Sequence, residues 1–474
     1  MPEALGLEAA WAPLEGVGER LVSAAAEAAA VRWRPMLDGE LESSARAVAL
    51  DVAERLRDRD RLEAAIAATM TQTEFPEYPH WEPYSVPQGD AGLAVLAGYV
   101  DACVPGRGWD ATAHQLLAIA ARGSEQAPYL LPGLHGGLAG LAFAASTLSR
   151  GGTRYRRLLA SLDRVLLPQA IALSRNVGRD ERDISVSEFD VISGVSGIGA
   201  YLLTRADDPA AAGALRVVLE GLVAMTADDG GGVPRWYTPA HLMGDETMAE
   251  LYPYGNLNCG LAHGIPGPLA LMALALQHGF DVAGLRDAVD RLAGWLIDQR
   301  ISDAWGTNWP TAVALPGQDL PAHPALGPDG TRCAWCYGGP GVARAVWLAG
   351  DALDSSELRG AAVETMEAVY RRPVVERRID SPTFCHGVSG LLQITLRFAN
   401  DTGLPVFTDA ARSLTEQLLG LHEPDRILGF CSIEPGGNHV DQPGLLDGAP
   451  GVALVLFAAT SAADPAWDRM FLLA

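Results

Sequence analysis

Seven Gly-x-x-Gly pairs, each opening an apolar run of helical character, constrain this chain more than any other feature. The pairs begin at Gly89, Gly137, Gly194, Gly264, Gly338, Gly387 and Gly448, and their second glycines lie 48, 57, 70, 74, 49 and 61 residues apart. Each interval has room for a motif helix, a returning helix and a loop of uneven length, so the repeat describes stacked helical hairpins. The stretches RYRRLLASLDRVLLPQAIALSR, GALRVVLEGLVAMTA and GLRDAVDRLAGWLIDQR alternate apolar and charged residues at the helical period. A one-sided stripe of this kind covers a neighbour, which assigns them to an outer layer. The motif helices are apolar nearly all round and belong inside. The prediction is an all-α ring within a ring, with glycine at each inner N-terminus supplying positive φ or the close approach of crowded turns.

Length alone allows about three domains, but a repeat running from Gly89 to Gly451 overrides that count and predicts one large domain over 1–474. With 49% hydrophobic and 20% charged residues, the chain has the material for a sizeable core. Its 58 acidic against 35 basic residues argue against non-specific binding to nucleic acid. No uninterrupted apolar stretch of about 18 residues appears, and the Met-Pro-Glu start is acidic where a signal peptide carries positive charge, so a cytoplasmic location is expected. Two long intervals break the pattern, Asp228–Asn258 and Ile301–Ala334. Their Gly, Pro and aromatic content predicts loops with short strands over one face of the ring, with 228–258 a candidate inserted module.

Chemistry is sought where the copies differ. The first, second and seventh read as structural turns. The fifth, AWCYGGPG, carries Cys336, and the sixth, FCHGVSG, carries Cys385 and His386. Two sulfurs and an imidazole are donors that zinc prefers, and three ligands leave one position for water or substrate. Six cysteines are too few for a disulfide scaffold in a chain of this length, and the single CxxC, Cys333 with Cys336, lacks a second pair. Spacing by itself therefore supports buried or redox-paired cysteines as well as zinc. The repeat favours zinc, because equivalent turns of a closed ring gather at one end. His263, in LAHGIPG, precedes its motif glycine as His386 does, and stands as a fourth ligand, a core histidine or a general acid and base. Asp190, four residues before Gly194, is placed to orient an imidazole or to cap a helix. Cys259 and Cys333 read as packing residues, and His241 as a solvated one. His135 shares the register of Cys336 but is left outside the site.

On these residues the chain resembles the lanthionine synthetase C family. NLNCGLAHGIPG, AWCYGGPGVA and FCHGVSG look like its three signature segments, while DVISGVSGIGAYLL, LLDGAPGVALVL and the closing PAWDRMFLLA resemble further ones. The resemblance implies a double α/α toroid of seven inner and seven outer helices, with Leu41 to Thr71 completing the ring. It implies a zinc ion held by Cys336, Cys385 and His386. It also implies addition of peptide cysteine thiols to dehydroalanine or dehydrobutyrine in a dehydrated precursor peptide, leader and core together, as a freestanding bacterial cyclase of lanthipeptide antibiotic biosynthesis. His263 would be the acid, Asp190 would set its tautomer or charge, Arg332 would stabilise the enolate oxygen, and Tyr337 would donate a hydrogen bond, with Trp335 in packing. A dehydratase and a transporter are the implied partners, in a complex peripheral to a membrane. Glutathione addition to dehydrated residues, and a non-catalytic zinc-containing scaffold for peptide, are the alternatives.

Overall fold

The computed structural model describes residues 33–77, 80–179, 183–227, 232–315, 317–318, 320 and 331–474. The start of the 228–258 module, most of the second long loop after Leu315 and the first 32 residues therefore lie outside the described residues. In chain order, α1 (Gly39–Arg57) and α2 (Arg59–Gln72) come first, then α3 (Asp90–Cys103), α4 (Trp109–Gln126), α5 (Leu138–Thr147) and α6 (Arg156–Val177). The single turn α7 (Val186–Phe189) leads into α8 (Val195–Leu203) and α9 (Pro209–Met225). The short α10 (Glu246–Leu251) precedes α11 (Pro266–Gln277) and α12 (Leu285–Asp298). Then follow α13 (Gly339–Leu353), α14 (Ser356–Arg371), α15 (Val388–Thr402), α16 (Pro405–Gly420) and α17 (Ala449–Thr460).

Every Gly-x-x-Gly pair opens one of α3, α5, α8, α11, α13, α15 and α17. These helices touch in that order and α17 touches α3, which closes the inner ring. In α17 all twelve residues are buried, as an apolar helix with no solvent face requires. Outside them pack α4, α6, α9, α12, α14 and α16, each on the inner helix before it. The seventh outer place is taken by α1, which packs on α17, with Trp33 Nε1 donating to Ala458 O at 2.9 Å. The double toroid expected from the repeat is present.

The glycines act mainly through space. A Cβ at Gly92, Gly140, Gly197, Gly341, Gly390 or Gly451 would stand 2.0 to 2.4 Å from the carbonyl oxygen six residues earlier, so each turn folds directly onto the helix it precedes. The expectation of positive φ holds among the paired glycines only at Gly338, with φ +88°. A Cβ there would also lie 1.6 Å from Arg332 O, so this position excludes a side chain twice over.

The long loops carry four of the six short strands among the described residues. β1 (Leu257–Asn258) pairs antiparallel with β4 (Ala312–Val313), so the two excursions are stitched together; β2 (Ile301–Asp303) pairs with β3 (Gly306–Asn308), and β5 (Ser432–Ile433) with β6 (His439–Val440). Leu251, Tyr252 and Ala312 form a small apolar cluster of their own beneath Met243 and Met248.

The centre of the ring is filled by the chain itself. A 3-10 turn, Ala466–Phe471, places Trp467, Met470, Phe471, Leu472 and Leu473 inside. Phe471 stacks on Phe384 at 4.0 Å and meets Trp335 edge-on at 5.0 Å, while Trp335 Nε1 donates to Phe471 O at 3.1 Å. Asp468 is fully buried and accepts from Arg397 Nε and Nη2, both at 2.6 Å, and from Gln393 Nε2 at 2.6 Å. Asp468→Ala would leave the buried Arg397 guanidinium with only Asp464, at 3.9 Å, and is expected to destabilise the fold by about 3 kcal/mol. Urea unfolding of the purified variant checks this, and a loss under about 1 kcal/mol would refute the tail's role as a fixed plug.

Candidate metal centre and active site

The N-terminal turns of the inner helices meet at one end of the ring and are joined by main-chain hydrogen bonds from copy to copy. Val86 N donates to His135 O at 3.3 Å, His135 N to Ile192 O at 3.1 Å and Val191 N to Ala262 O at 3.0 Å. Ala262 N continues to Cys336 O at 3.3 Å, Cys336 N to Cys385 O at 3.2 Å and Cys385 N to Leu446 O at 3.0 Å. Buried backbone groups must be paired, and here the pairing fixes the register between repeats. Residues far apart in sequence become neighbours because they hold equivalent places in adjoining turns.

The Cys336 and Cys385 thiols act on each other's ionisation, and no cysteine of the chain is in a disulfide. The Cys385 thiol holds that of Cys336 below its usual range despite burial, with Arg332 and His263 adding positive potential; the same coupling holds Cys385 well above it. One negative charge is thus shared by the pair more readily than by a lone buried thiol. Burial pushes the His386 imidazole down, against Asp447, which keeps it neutral and fit to offer a lone pair. Ligand atoms of Cys385, His386 and Asp447 lie within 4.8 Å of one another, with Cys336 adjoining through Cys385. Cys336 is not within that distance of all three, and the soft sulfurs and neutral imidazole are donor types that zinc prefers.

Beside this group stands His263. Its Nδ1 lies 2.7 Å from Asp190 Oδ2, while Asp190 Oδ1 accepts from Ser193 N at 2.7 Å and Gly194 N at 2.8 Å. One oxygen of Asp190 faces the imidazole, while the other holds the turn before α8 and does not cap the helix. Burial disfavours the imidazolium, but the hydrogen bond and charge of Asp190 outweigh it and raise the His263 pKa. The His263 and Tyr337 rings lie 6.4 Å apart. Tyr337 Oη accepts from Asn258 Nδ2 at 3.2 Å, which leaves its own O–H to donate, and burial pushes the phenol well above its usual range. Arg332 is exposed, within electrostatic reach of Cys336, Cys385 and His386.

A cavity of about 470 Å³ opens at this end, lined by Asp190, His263, Tyr337 and Asn258 on the ring and by Met243 and Met248 on the first excursion. The remaining sequence candidates stand apart from it. His135 is buried against Trp335 and Phe471, and burial lowers its pKa to about 4, so it is a neutral core residue. Cys259 and Cys333 are buried with their thiols pushed up by burial, and His241 is exposed, 3.6 Å from Asp183.

Two residues escaped the sequence reading. Asn258 gives no local signal, since its contact with Tyr337 spans copies. Asp447 gives one: it precedes Gly448 as His263 precedes Gly264 and His386 precedes Gly387. The seventh copy, expected to be a structural turn, reaches the ligand group.

A model of the lanthionine synthetase C-like protein family matches residues 80–472. The chain belongs to this family. Within it, the nisin biosynthesis protein NisC of Lactococcus lactis subsp. lactis is 28% identical over 301 residues, which cover 63% of this chain and 70% of that protein. A solved structure of nisin cyclase superposes with a TM-score of 0.71, covering 88% of this chain and 98% of its own, and at 21% identity it speaks for the fold. The enzyme class is thereby lanthionine synthesis. Among the described residues, no helix is long and apolar enough to cross a membrane.

Proposed function

We propose that this protein is a zinc-dependent lanthionine cyclase that closes thioether rings in a dehydrated precursor peptide. The observation that carries the reading is the meeting, in a chain of this family, of the Cys336, Cys385 and His386 donors with the His263–Asp190 couple at one end of the ring. The whole chain is read as one domain, and the excursion over 228–258 as a wall of the peptide cavity. A dehydratase must supply the alkenes, so such an enzyme, with a transporter for the product, is the partner class, in the cytoplasm and at a membrane-associated complex.

Cys336, Cys385 and His386 would hold the zinc, which when bound lowers the pKa of a coordinated peptide thiol from its free value of about 8.5. The reaction adds S–H across a C=C bond: sulfur bonds to the β-carbon, the π pair moves toward the carbonyl oxygen, and the α-carbon takes a proton. His263, whose imidazolium Asp190 favours, is placed to deliver that proton and to recover the one lost by the thiol. The Tyr337 O–H and the Arg332 charge would stabilise the developing enolate oxygen. The cavity beside His263 receives the peptide, its apolar wall formed by Met243 and Met248.

Cyclisation leaves peptide mass unchanged, so the test counts alkylatable thiols on a dehydrated peptide before and after exposure to the protein. Their number should fall by one per ring, and survival of every thiol on a verified cognate peptide would reject the reading. Asp190→Asn gives a second check. Without the carboxylate, burial pulls the His263 pKa down, so the fraction of imidazolium at neutral pH drops. The alkaline limb of the rate profile should move to lower pH and the rate at neutral pH fall about tenfold or more. An unshifted limb would separate Asp190 from the proton transfer.

A further inference from the structure

We propose that Glu423, Cys431 and His439 form a second metal site, which takes a divalent ion of the zinc class and clips the turn after α16 to the β5–β6 hairpin. It shares no residue with the site at the mouth of the ring and stands whether or not that reading does.

The hairpin sets two of the donors. Ile433 pairs with His439 across it, and Cys431, two residues before Ile433, lies on the same face because extended side chains alternate. Cys431 Sγ stands 3.2 Å from His439 Nδ1. The third donor comes from the preceding turn, which Glu423 N closes onto Gly429 O at 2.9 Å. Glu423 Oε1 lies 3.7 Å from Cys431 Sγ and 4.0 Å from His439 Nδ1. Zinc bonds of about 2.0 to 2.3 Å give tetrahedral edges of roughly 3.4 to 3.6 Å. The three separations bracket that range, so one ion can bond all three atoms.

Burial divides the parts. Cys431 is buried, whereas the Glu423 and His439 side chains are 48% and 44% exposed. The sulfur is the floor, and the other two donors form a rim through which an ion enters from solvent. A thiol, an imidazole and a carboxylate together suit zinc and its neighbours, whereas calcium and magnesium take oxygen ligands.

Arg426 is the competitor. Its Nη2 lies 3.2 Å from His439 Nδ1 and its Nε 3.3 Å from Glu423 Oε2, and a guanidinium and an ion cannot use the same lone pairs at once. Asp441 supplies the alternative. Its Oδ2 already accepts from Arg426 Nη1 at 3.4 Å, and its Oδ1 is buried without a partner. Such an oxygen is costly to leave unpaired, and Arg426 turned toward it satisfies it while freeing the imidazole. Burial also pushes the Cys431 thiol up to about 11, so loading expels a proton. With one sulfur, a proton to displace and a guanidinium to move, this site fills when the ion is supplied and empties on dialysis.

Equilibrium dialysis of the full chain against about 10 μM free zinc, with a reductant that is not a thiol, counts the ions. The parent should take up one equivalent beyond what it retains after dialysis without metal. Cys431→Ser and His439→Ala should bind that equivalent about 100-fold more weakly, as loss of one ligand in three implies, and Glu423→Gln about tenfold more weakly. Co2+ titration of the Cys336→Ala/Cys385→Ala protein identifies the donor. A sulfur-to-cobalt band in the near ultraviolet should grow to one equivalent and vanish when Cys431→Ser is added. Circular dichroism checks each fold, and if Cys431→Ser fails to fold, Glu423→Gln, a change at an exposed side chain, carries the comparison. Absence of the extra equivalent in the parent would overturn the proposal. So would an extra equivalent bound equally well by the variants, which places the ion elsewhere. A parent that retains no ion on dialysis yet takes up the Cys431-dependent one would bring down the reading of the mouth site and support this one.

Discussion

Cys336→Ala and Cys385→Ala are each expected to take the zinc content from about one ion per chain to near zero and to lower ring closure by at least a thousandfold, while the helical signal persists. The size follows from geometry. The two thiols act on each other's ionisation and share a charge, so removal of either takes away half of the sulfur donors. The fold survives because the turns that carry them are held by main-chain bonds, Cys336 N to Cys385 O at 3.2 Å and Cys385 N to Leu446 O at 3.0 Å, which alanine keeps. Metal analysis of the purified variants with far-ultraviolet circular dichroism checks both halves. Full zinc retention in the two variants would sink the ligand assignment, and loss of helix would show that the metal holds the ring together.

The second large effect is expected at His263. His263→Ala should leave zinc bound and slow ring closure by about 10² to 10⁴, the range for a missing general acid. The imidazole is held 2.7 Å from Asp190 and opens on the peptide cavity, so no other described residue combines a raised imidazole pKa with that position. If zinc is retained, the rate measures the proton step; an unchanged rate would remove His263 from the chemistry. His263→Asn, which keeps polarity but not the acid, should be as slow as alanine.

How much of this was legible in the sequence depends on what each feature rests upon. The ring was legible because its period is written seven times and because apolar and amphipathic helices alternate. The proximity of Cys336, Cys385 and His386 followed from the repeat, since equivalent turns of a closed ring converge. Asp447 was passed over although it shared a register with His263 and His386, because its turn bears no sulfur or imidazole. The reason for the glycines was read half correctly: one of the pairs needs a left-handed residue, and the rest make room for a carbonyl six residues back. The β1–β4 pairing was out of reach, since two-residue strands from separate excursions leave no periodic trace. So was the plug, because Trp467, Met470 and Phe471 read as ordinary core until a closed ring creates a centre that needs filling.

That plug orders events in time. Residues 466–473 are synthesised after all seven inner helices, yet the residues preceding both cysteines rest on them: Trp335 gives its indole proton to Phe471 O, and Phe384 stacks on the Phe471 ring. The turns that carry the thiol pair are thus buttressed from the axis by residues made after both cysteines.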